Sequence, residues 1–337
     1  MATDQETQPG ALGEHRASGP YAAVIRWMEN LSEAQFAYLL LTPALVLLAA
    51  IALWPLLSTF QMSLFADNLA GRLGGFVGVE NYVALLTGQK NALLPADFVP
   101  TSLTVEAFFN SALTVTLIFT VASVFFETIF GFAQALVLNQ DFFGRRWARL
   151  AIIIPWAVPI VVQGMIFFLM FQPGTGFLIG GEGNQTILQT LGPFGLAPFS
   201  NTIDSTLIII VADIWKTTAF MALLILAGLQ SIDRNLYDVA KVSGASPWQR
   251  FKYITLPMVL PTVFVAMLFR TIQAMRVYGV IETVSGCETV PSLSCLVIRS
   301  FDNNLFATSA TIAFVTAAII GVFVSVYIVG YAREEMA

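Results

Sequence analysis

The segment DRNLYDVAKVSGASPWQRFKYITLPMVLP, residues 233–261, separates two long apolar runs of this chain. Its basic side chains outnumber its acidic ones by four to two, a bias typical of loops on the cytoplasmic side of a membrane. The segment also has a helical pattern. Small and apolar residues recur at positions i, i+3, i+4 and i+7, which predicts one weakly apolar face on a short helix. These residues are Leu236, Val239, Ala240 and Ser243.

Gly244 predicts the end of this helix, because a glycine directly after a helix can adopt the left-handed conformation without a Cβ clash. Ser246, Pro247 and Gln249 then match the N-cap, N1 and N3 positions of a second helix in a capping-box arrangement. We therefore predict a helix-turn-helix, called the helical hairpin below. An amphipathic connector lying on the bilayer surface is the alternative.

The spacing within this segment resembles the EAA loop (E-A-A-x3-G-x9-I-x-L-P) of permease subunits in binding-protein-dependent ABC importers. Gly244 and the run Ile254-Thr255-Leu256-Pro257 stand at the family distances, while Asp238 replaces the glutamate and Val239 the first alanine. The resemblance implies that residues 232–256 form a coupling loop, which docks into a cleft on a separate ATPase subunit. It assigns that role to Asp238, Ala240, Gly244, Ile254, Leu256 and Pro257.

The composition indicates an integral membrane protein. Of 337 residues, 57% are hydrophobic and only 11% are charged, whereas about 25% of residues are charged in a soluble globular protein. Six apolar runs each approach or exceed the ~20 residues that cross a bilayer. We predict an all-α polytopic membrane protein with six transmembrane helices. The runs are Phe36–Phe60, Glu106–Leu138, Leu150–Phe171, Ile203–Leu229, Pro257–Ile281 and Leu305–Tyr331.

The polar segments outside these runs predict the domain organisation. Residues 1–35 are polar and lack the short apolar core of a signal peptide. They are expected to form a cytoplasmic tail with a surface helix near Trp27. Residues 36–333 are expected to form the transmembrane permease domain, and residues 334–337 a second tail.

Lysines and arginines predict the orientation. With the amino terminus inside, ten of them fall on the inner side, and only Arg72, Lys90 and Arg299 fall on the outer side. Both termini and the helical hairpin, between helices 4 and 5, are therefore predicted to be cytoplasmic in a multi-pass protein of the plasma membrane. The net charge of -5 fits either a halophilic source, in which acidic surfaces stay hydrated, or ordinary variation.

Further stretches of the chain resemble the sugar-importing branch of these permeases, in particular its trehalose and maltose permeases. This resemblance covers about Leu39–Tyr331. It implies import of a di- or oligosaccharide such as trehalose or maltose, and the alternatives are a monosaccharide, glycerol phosphate or another polyol. The stretches are GFAQALVLNQDFFGRR, IPWAVPIVV, ADIWKTTAFMALLILAGLQSI and LFRTIQAMRVYGVIETVSG.

Several charged and polar side chains lie inside the apolar runs, where an unpartnered charge costs about 2.5 to 3.5 kcal/mol. Asp213 and Lys216 are three residues apart and are expected to form a salt bridge. Glu127 is expected to pair with an arginine such as Arg270, or to stay neutral. A sugar pathway needs hydrogen-bonding groups and an aromatic face. The candidate pathway residues are Gln163, Trp215, Lys216, Gln273, Arg276 and Tyr278.

Cys287 and Cys295, the only cysteines, both fall in the loop predicted to lie outside the cell between the fifth and sixth runs. An oxidising exterior allows a disulfide there, and two unpaired thiols are the alternative. The single histidine, His15, lies in the predicted tail, so no metal site is expected.

The chain has no phosphate-binding loop of the pattern G-x-x-x-x-G-K-[ST], so we expect neither enzymatic activity nor a cofactor in it. The resemblance implies that ATP and Mg act on two ATP-binding-cassette subunits. It also implies a second permease subunit and an extracytoplasmic solute-binding protein that delivers the sugar, and no nucleic acid. A self-sufficient secondary transporter, normally built from an internal repeat, and a non-transporting scaffold are the alternatives.

Overall fold

The computed structural model describes residues 27–28, 30–68, 71–179 and 198–335, with side chains up to residue 329. Residues 1–26 of the predicted first tail, including His15, and residues 336–337 of the predicted last tail lie outside the described residues. The chain divides into two compact units, Met1–Thr59 and Phe60–Ala337.

The first unit contains most of the first predicted span. Helix α1, Glu33–Leu48, begins at a capping box. Ser32 Oγ accepts a hydrogen bond from Gln35 N at 3.3 Å, and Gln35 Oε1 accepts one from Ser32 N at 3.0 Å. A π-helical turn, Ala49–Leu53, leads into α2, Trp54–Ser63. No residue of α1 or of the turn is buried.

The second unit is built mainly from helices. Within the described residues of both units, five helices are long and apolar enough to cross a membrane. The bent pair Arg145–Ala157 and Ile160–Phe171 would make a sixth span if it is counted as one. The elements of the second unit, in chain order, are β1 Phe65–Asn68, β2 Arg72–Phe76, α3 Glu80–Leu86, α4 Val105–Phe109, α5 Ala112–Asn139, α6 Arg145–Ala157, α7 Ile160–Phe171, α8 Thr202–Gln230, α9 Arg234–Val242, α10 Pro247–Arg250, α11 Leu256–Ala274, α12 Gly279–Val284, α13 Leu293–Asp302 and α14 Phe306–Glu335.

The third predicted run, Leu150–Phe171, is divided between two helices that meet at a bend. Helices α6 and α7 meet at an angle of 90°. Between them, Val158 has φ -66° and ψ 129°, the extended backbone that a residue before proline favours. Pro159 has no N–H to continue the helical ladder. Pro155 lies inside α6, and the chain changes direction at Pro159.

The fifth predicted run, Pro257–Ile281, is wrong at its end. Helix α11 ends at Ala274, and α12 is a separate short helix. Between them, the Val277 carbonyl accepts a hydrogen bond from Ser292 Oγ at 2.9 Å, a tertiary contact that no local pattern reveals. At its other end, α11 continues α10 through a π-helical turn, so that Pro247–Ala274 is one long helix.

The described chain is mostly helical, as predicted, and in addition β1 and β2 form an antiparallel ribbon. Asp67 of β1 accepts hydrogen bonds from the backbone N–H groups of Ala307, at 2.8 Å, and Thr308, at 3.2 Å, at the start of α14. Lys90 Nζ lies 3.3 Å from the same carboxylate. The ribbon therefore caps a helix that begins about 240 residues later.

Helix α8 lies at the centre of the second unit and packs against α5 and α11. A larger share of it is buried than of any other candidate span in the described residues. Its crossing with α5 is close: a Cβ placed on Gly131 would lie 2.7 Å from Met221 Cβ and 3.1 Å from Ala222 N. Small residues allow such close helix approach in membranes.

We predict that Gly131→Ala lowers the melting temperature of the purified protein, because overpacking costs about 1 to 3 kcal/mol. Gly321→Ala is the matched control, since no atom lies within 4 Å of a Cβ built at this helical glycine. Equal melting temperatures of the two variants would contradict the close crossing of α5 and α8.

Candidate functional site

The first arm of the helical hairpin ends as its sequence predicts. Helix α9 begins at Asp233, whose carboxylate accepts a hydrogen bond from Asn235 N at 2.9 Å. At the other end, Gly244 N donates to Lys241 O at 3.0 Å, and the following N–H donates to Ala240 O at 2.9 Å. This pair of bonds is a Schellman motif, and Gly244 has the required positive φ of +79°.

The second arm begins at the predicted capping box. Ser246 N donates to Gln249 Oε1 at 2.7 Å, and Gln249 N donates to Ser246 Oγ at 3.3 Å. Pro247 occupies the first turn, where its missing N–H costs nothing. The predicted helix-turn-helix is therefore present, and its second arm leads without interruption into α11.

The predicted stripe of α9 is exposed at Leu236, Val239 and Ser243 and partly buried at Ala240. Val242, which lies outside the predicted stripe, is also exposed. Val239 is 67% exposed and Val242 is 90% exposed, and neither side chain packs in a core cluster of the described residues. The opposite face of α9, which includes Tyr237 and Lys241, lines a cavity. The apolar face with Val239 and Val242 is therefore uncovered within the described residues.

The remaining residues assigned to coupling have different environments. Asp238 is exposed and forms a salt bridge with Lys241 at 2.9 Å. Ile254 is partly buried and packs against the core cluster at the end of α8. Leu256 and Pro257 are exposed at the start of α11. The hairpin thus has an exposed apolar face on α9, and Ile254 packs the hairpin against the spans.

A buried charge cluster joins α5, α8 and α11. Arg270 Nε lies 2.5 Å from Glu127 Oε2, and its Nη2 lies 2.8 Å from Glu127 Oε1. The same Nη2 donates to Asp213 Oδ2 at 2.7 Å. The Thr217 hydroxyl lies 2.6 Å from Glu127 Oε1. Glu127 is fully buried and Arg270 is 3% exposed, so this bidentate pair is shielded from water.

The pairing of Asp213 differs from the expectation. Lys216 does not form the expected salt bridge with it; its Nζ donates to Val158 O at 2.6 Å, at the bend between α6 and α7. Val158 has extended backbone and lies before the first turn of α7, so its carbonyl is outside the helical hydrogen-bond ladder and can accept from the lysine. Asp213 binds Arg270 instead. Arg270 does pair with Glu127, as the sequence analysis expected.

The candidate pathway residues lie in several places. The Gln163 side chain is buried and donates to Ala212 O at 2.7 Å, so it joins α7 to α8. Trp215 is 40% exposed, with its ring 5.8 Å from that of Phe167. Gln273 is exposed and its Oε1 accepts a hydrogen bond from Arg270.

Arg276 and Tyr278 line a cavity of about 580 Å³ formed with α13 and α14. The structure therefore brings these two of the six candidates together in one cavity.

The two cysteines form a disulfide in the structure, with their Cα atoms 5.5 Å apart. Both are buried, and Ser292 Oγ caps the helix that contains Cys295. The bridge connects the end of α12 to the start of α13. It stabilises this short helical segment by restricting the unfolded chain.

Sequence reasoning missed Thr217 and the partner of Asp213. Asp213 and Thr217 are four positions apart and so lie on one face of α8. That spacing was a usable signal, since it places both beside the same neighbouring helices. Lys216, three positions after Asp213, points instead towards the α6–α7 bend.

The chain is similar to a family of transport proteins. Residues 127–333 match the family model described as "Binding-protein-dependent transport system inner membrane component". The chain is 33% identical over 307 residues to the trehalose/maltose transport system permease protein MalF of Thermococcus litoralis, covering 90% of this chain and 96% of the relative. It is 31% identical over 313 residues to the trehalose transport system permease protein SugA of Mycobacterium tuberculosis, covering 91% and 93%.

A solved structure shows the same fold. One chain of a bacterial ABC transporter involved in the import of the acidic polysaccharide alginate superposes with a TM-score of 0.67 at 19% identity. The superposition covers 91% of this chain and 99% of that chain.

We predict that Arg270→Met lowers the free energy of unfolding by about 3 to 5 kcal/mol, because it leaves a buried carboxylate unpaired. Glu127→Gln in the same background should restore part of that loss. Arg299→Met is the control: its pair with Glu282 is 35% exposed on both sides and should contribute at most about 1 kcal/mol. Denaturation of the purified variants in detergent measures this, and equal effects of the Arg270 and Arg299 changes would refute it.

Proposed function

Since this chain belongs to the family of binding-protein-dependent transport system inner membrane components, we propose that it is one permease subunit of an ATP-driven importer for a di- or oligosaccharide. The family places it in the inner membrane as a multi-pass protein. Relatives named as trehalose or trehalose/maltose permeases support the choice of cargo. The observation that carries the proposal is the helical hairpin with its exposed apolar face.

The hairpin is the proposed site of ATPase docking. Val239 and Val242 would enter the partner, because they are the most exposed apolar side chains of α9 and lie opposite its cavity-lining face. Gly244 sets the angle between the two arms. In this proposal the hairpin and both termini lie in the cytoplasm.

Movement of the hairpin can reach the spans through covalent and ionic connections. Helix α8 ends just before α9, and the second arm is continuous with α11. Both spans contribute to the buried charge cluster, which includes Asp213 and Arg270. Closure of two ATP-binding-cassette subunits, with ATP and Mg bound to them, would therefore displace these spans together.

The sugar pathway is proposed to pass the exposed end of α11. Gln273 and Arg276 are exposed there, and Tyr278 adds an aromatic side chain with a hydroxyl. Trp215 can offer a stacking surface. Gln163 and Lys216 hold helices together through their hydrogen bonds and are not proposed as sugar contacts. A second permease subunit would complete the pathway, and a solute-binding protein would deliver the sugar from outside.

The test is sugar-stimulated ATP hydrolysis by the reconstituted complex, measured with a panel of mono- and disaccharides. We expect stimulation by a disaccharide. Gly244→Asp should reduce stimulation and uptake at least about tenfold while membrane insertion stays normal, since a strained non-glycine backbone costs about 1 to 3 kcal/mol.

Gly174→Asp is the matched control, because this glycine has the same φ of +79° and no atom within 4 Å of a built Cβ, but lies outside the hairpin. It should keep sugar-stimulated hydrolysis. Normal uptake by the Gly244 variant would exclude the docking role. Uptake into liposomes by this chain alone would exclude an importer driven by separate ATPases.

A further inference from the structure

A cavity of about 870 Å³ lies between the helical hairpin and the segment that follows α5. Five basic side chains and two acidic ones line it. They come from α6, from α9 and from the second arm of the hairpin, except for Asp141, which lies in the segment between α5 and α6. The cavity therefore touches the element proposed to dock the ATPase, but on the side away from the exposed apolar face.

The two acidic side chains of this cavity are already paired. Asp141 forms a salt bridge with Arg145 at 2.7 Å and lies 4.0 Å from Arg234. Asp238 pairs with Lys241 at 2.9 Å. Neither carboxylate is left to neutralise the remaining basic side chains.

Arg149 of α6 and Arg250 of α10 remain without a counter-charge. Both are partly buried, and within the described residues neither guanidinium has a hydrogen-bond or ion-pair partner. The Nε atom of each is buried and unsatisfied. A partly desolvated cation is costly unless an anion pairs with it, so these two side chains indicate a missing anionic ligand.

We propose that this cavity binds an organic phosphate, with Arg149 and Arg250 as its main ligands. Guanidinium groups bind phosphate oxygens through paired hydrogen bonds. The volume lies within the ~300 to 1,000 Å³ typical of small-molecule sites and accommodates a group the size of a phosphorylated hexose or a phospholipid headgroup. Both sources offer the same phosphate chemistry.

Binding would tie α6 to the helical hairpin, because Arg149 and Arg250 belong to these two elements. The ligand would thereby hold the hairpin at a fixed distance from the spans. The binding step does not depend on the proposed transport function, while an effect on transport does.

The experiment uses the full chain, without partner subunits, in nanodiscs of phosphatidylcholine. Glucose 6-phosphate is titrated calorimetrically, with glucose as the uncharged control. We expect one site per chain for the phosphate ester and no binding of glucose. Arg149→Gln combined with Arg250→Gln should weaken binding at least about tenfold, since bonds to charged groups are the strong ones.

Arg146→Gln is the matched control, because Arg146 is exposed on the same helix and does not line the cavity. Its affinity should stay within about twofold of the wild type, as expected for a solvated side chain. The combined Arg149→Lys and Arg250→Lys variant keeps both charges and should retain part of the binding, which separates loss of the site from loss of the fold.

The lipid source is distinguished by nanodiscs that contain phosphatidylglycerol. If the headgroup is the ligand, that lipid should block glucose 6-phosphate and remain bound to the wild type, but not to the glutamine double variant, in native mass spectrometry. The proposal is overturned if neither compound binds, or if Arg146→Gln weakens binding as much as the double variant. It is also overturned if adding the ATPase subunits displaces the phosphate, because the partner's own acidic side chains would then fill the cavity.

Discussion

The ion pair between Arg270 and Glu127 constrains the relative positions of α5 and α11 in the second unit. Breaking such a buried pair costs about 3 to 5 kcal/mol, so the spans that carry it must keep their relative positions. Asp213 adds a third span to the same guanidinium. Helices α5, α8 and α11 therefore form one tied group, and the helical hairpin connects two of its members directly.

Features that depend on neighbouring residues could be predicted from the sequence. The capping box at Ser246, the left-handed Gly244 and the apolar runs all follow from patterns within a few positions. Contacts between distant residues could not be predicted. The Asp67 carboxylate caps a helix that begins about 240 residues later. Lys216 donates a hydrogen bond to the Val158 carbonyl and forms no salt bridge with the nearby carboxylate of Asp213. In each case a tertiary partner outweighed the local pattern.

Helix α9 of the helical hairpin has two faces of different chemical character. Its apolar face, with Val239 and Val242, is exposed and suited to a protein partner. Its other face borders a basic cavity in which Arg149 and Arg250 lack a counter-ion among the described residues. In the two proposals made above, one element receives a mechanical input from a partner and a chemical input from an anion.

The central claim is that α5 and α11 move together when the transporter changes state. Spin labels at Val137 of α5 and Met258 of α11, both exposed, would report their separation by double electron–electron resonance in the assembled complex. The account predicts the same mean distance with and without ATP. A distance that changes on ATP binding, while transport remains intact, would contradict it.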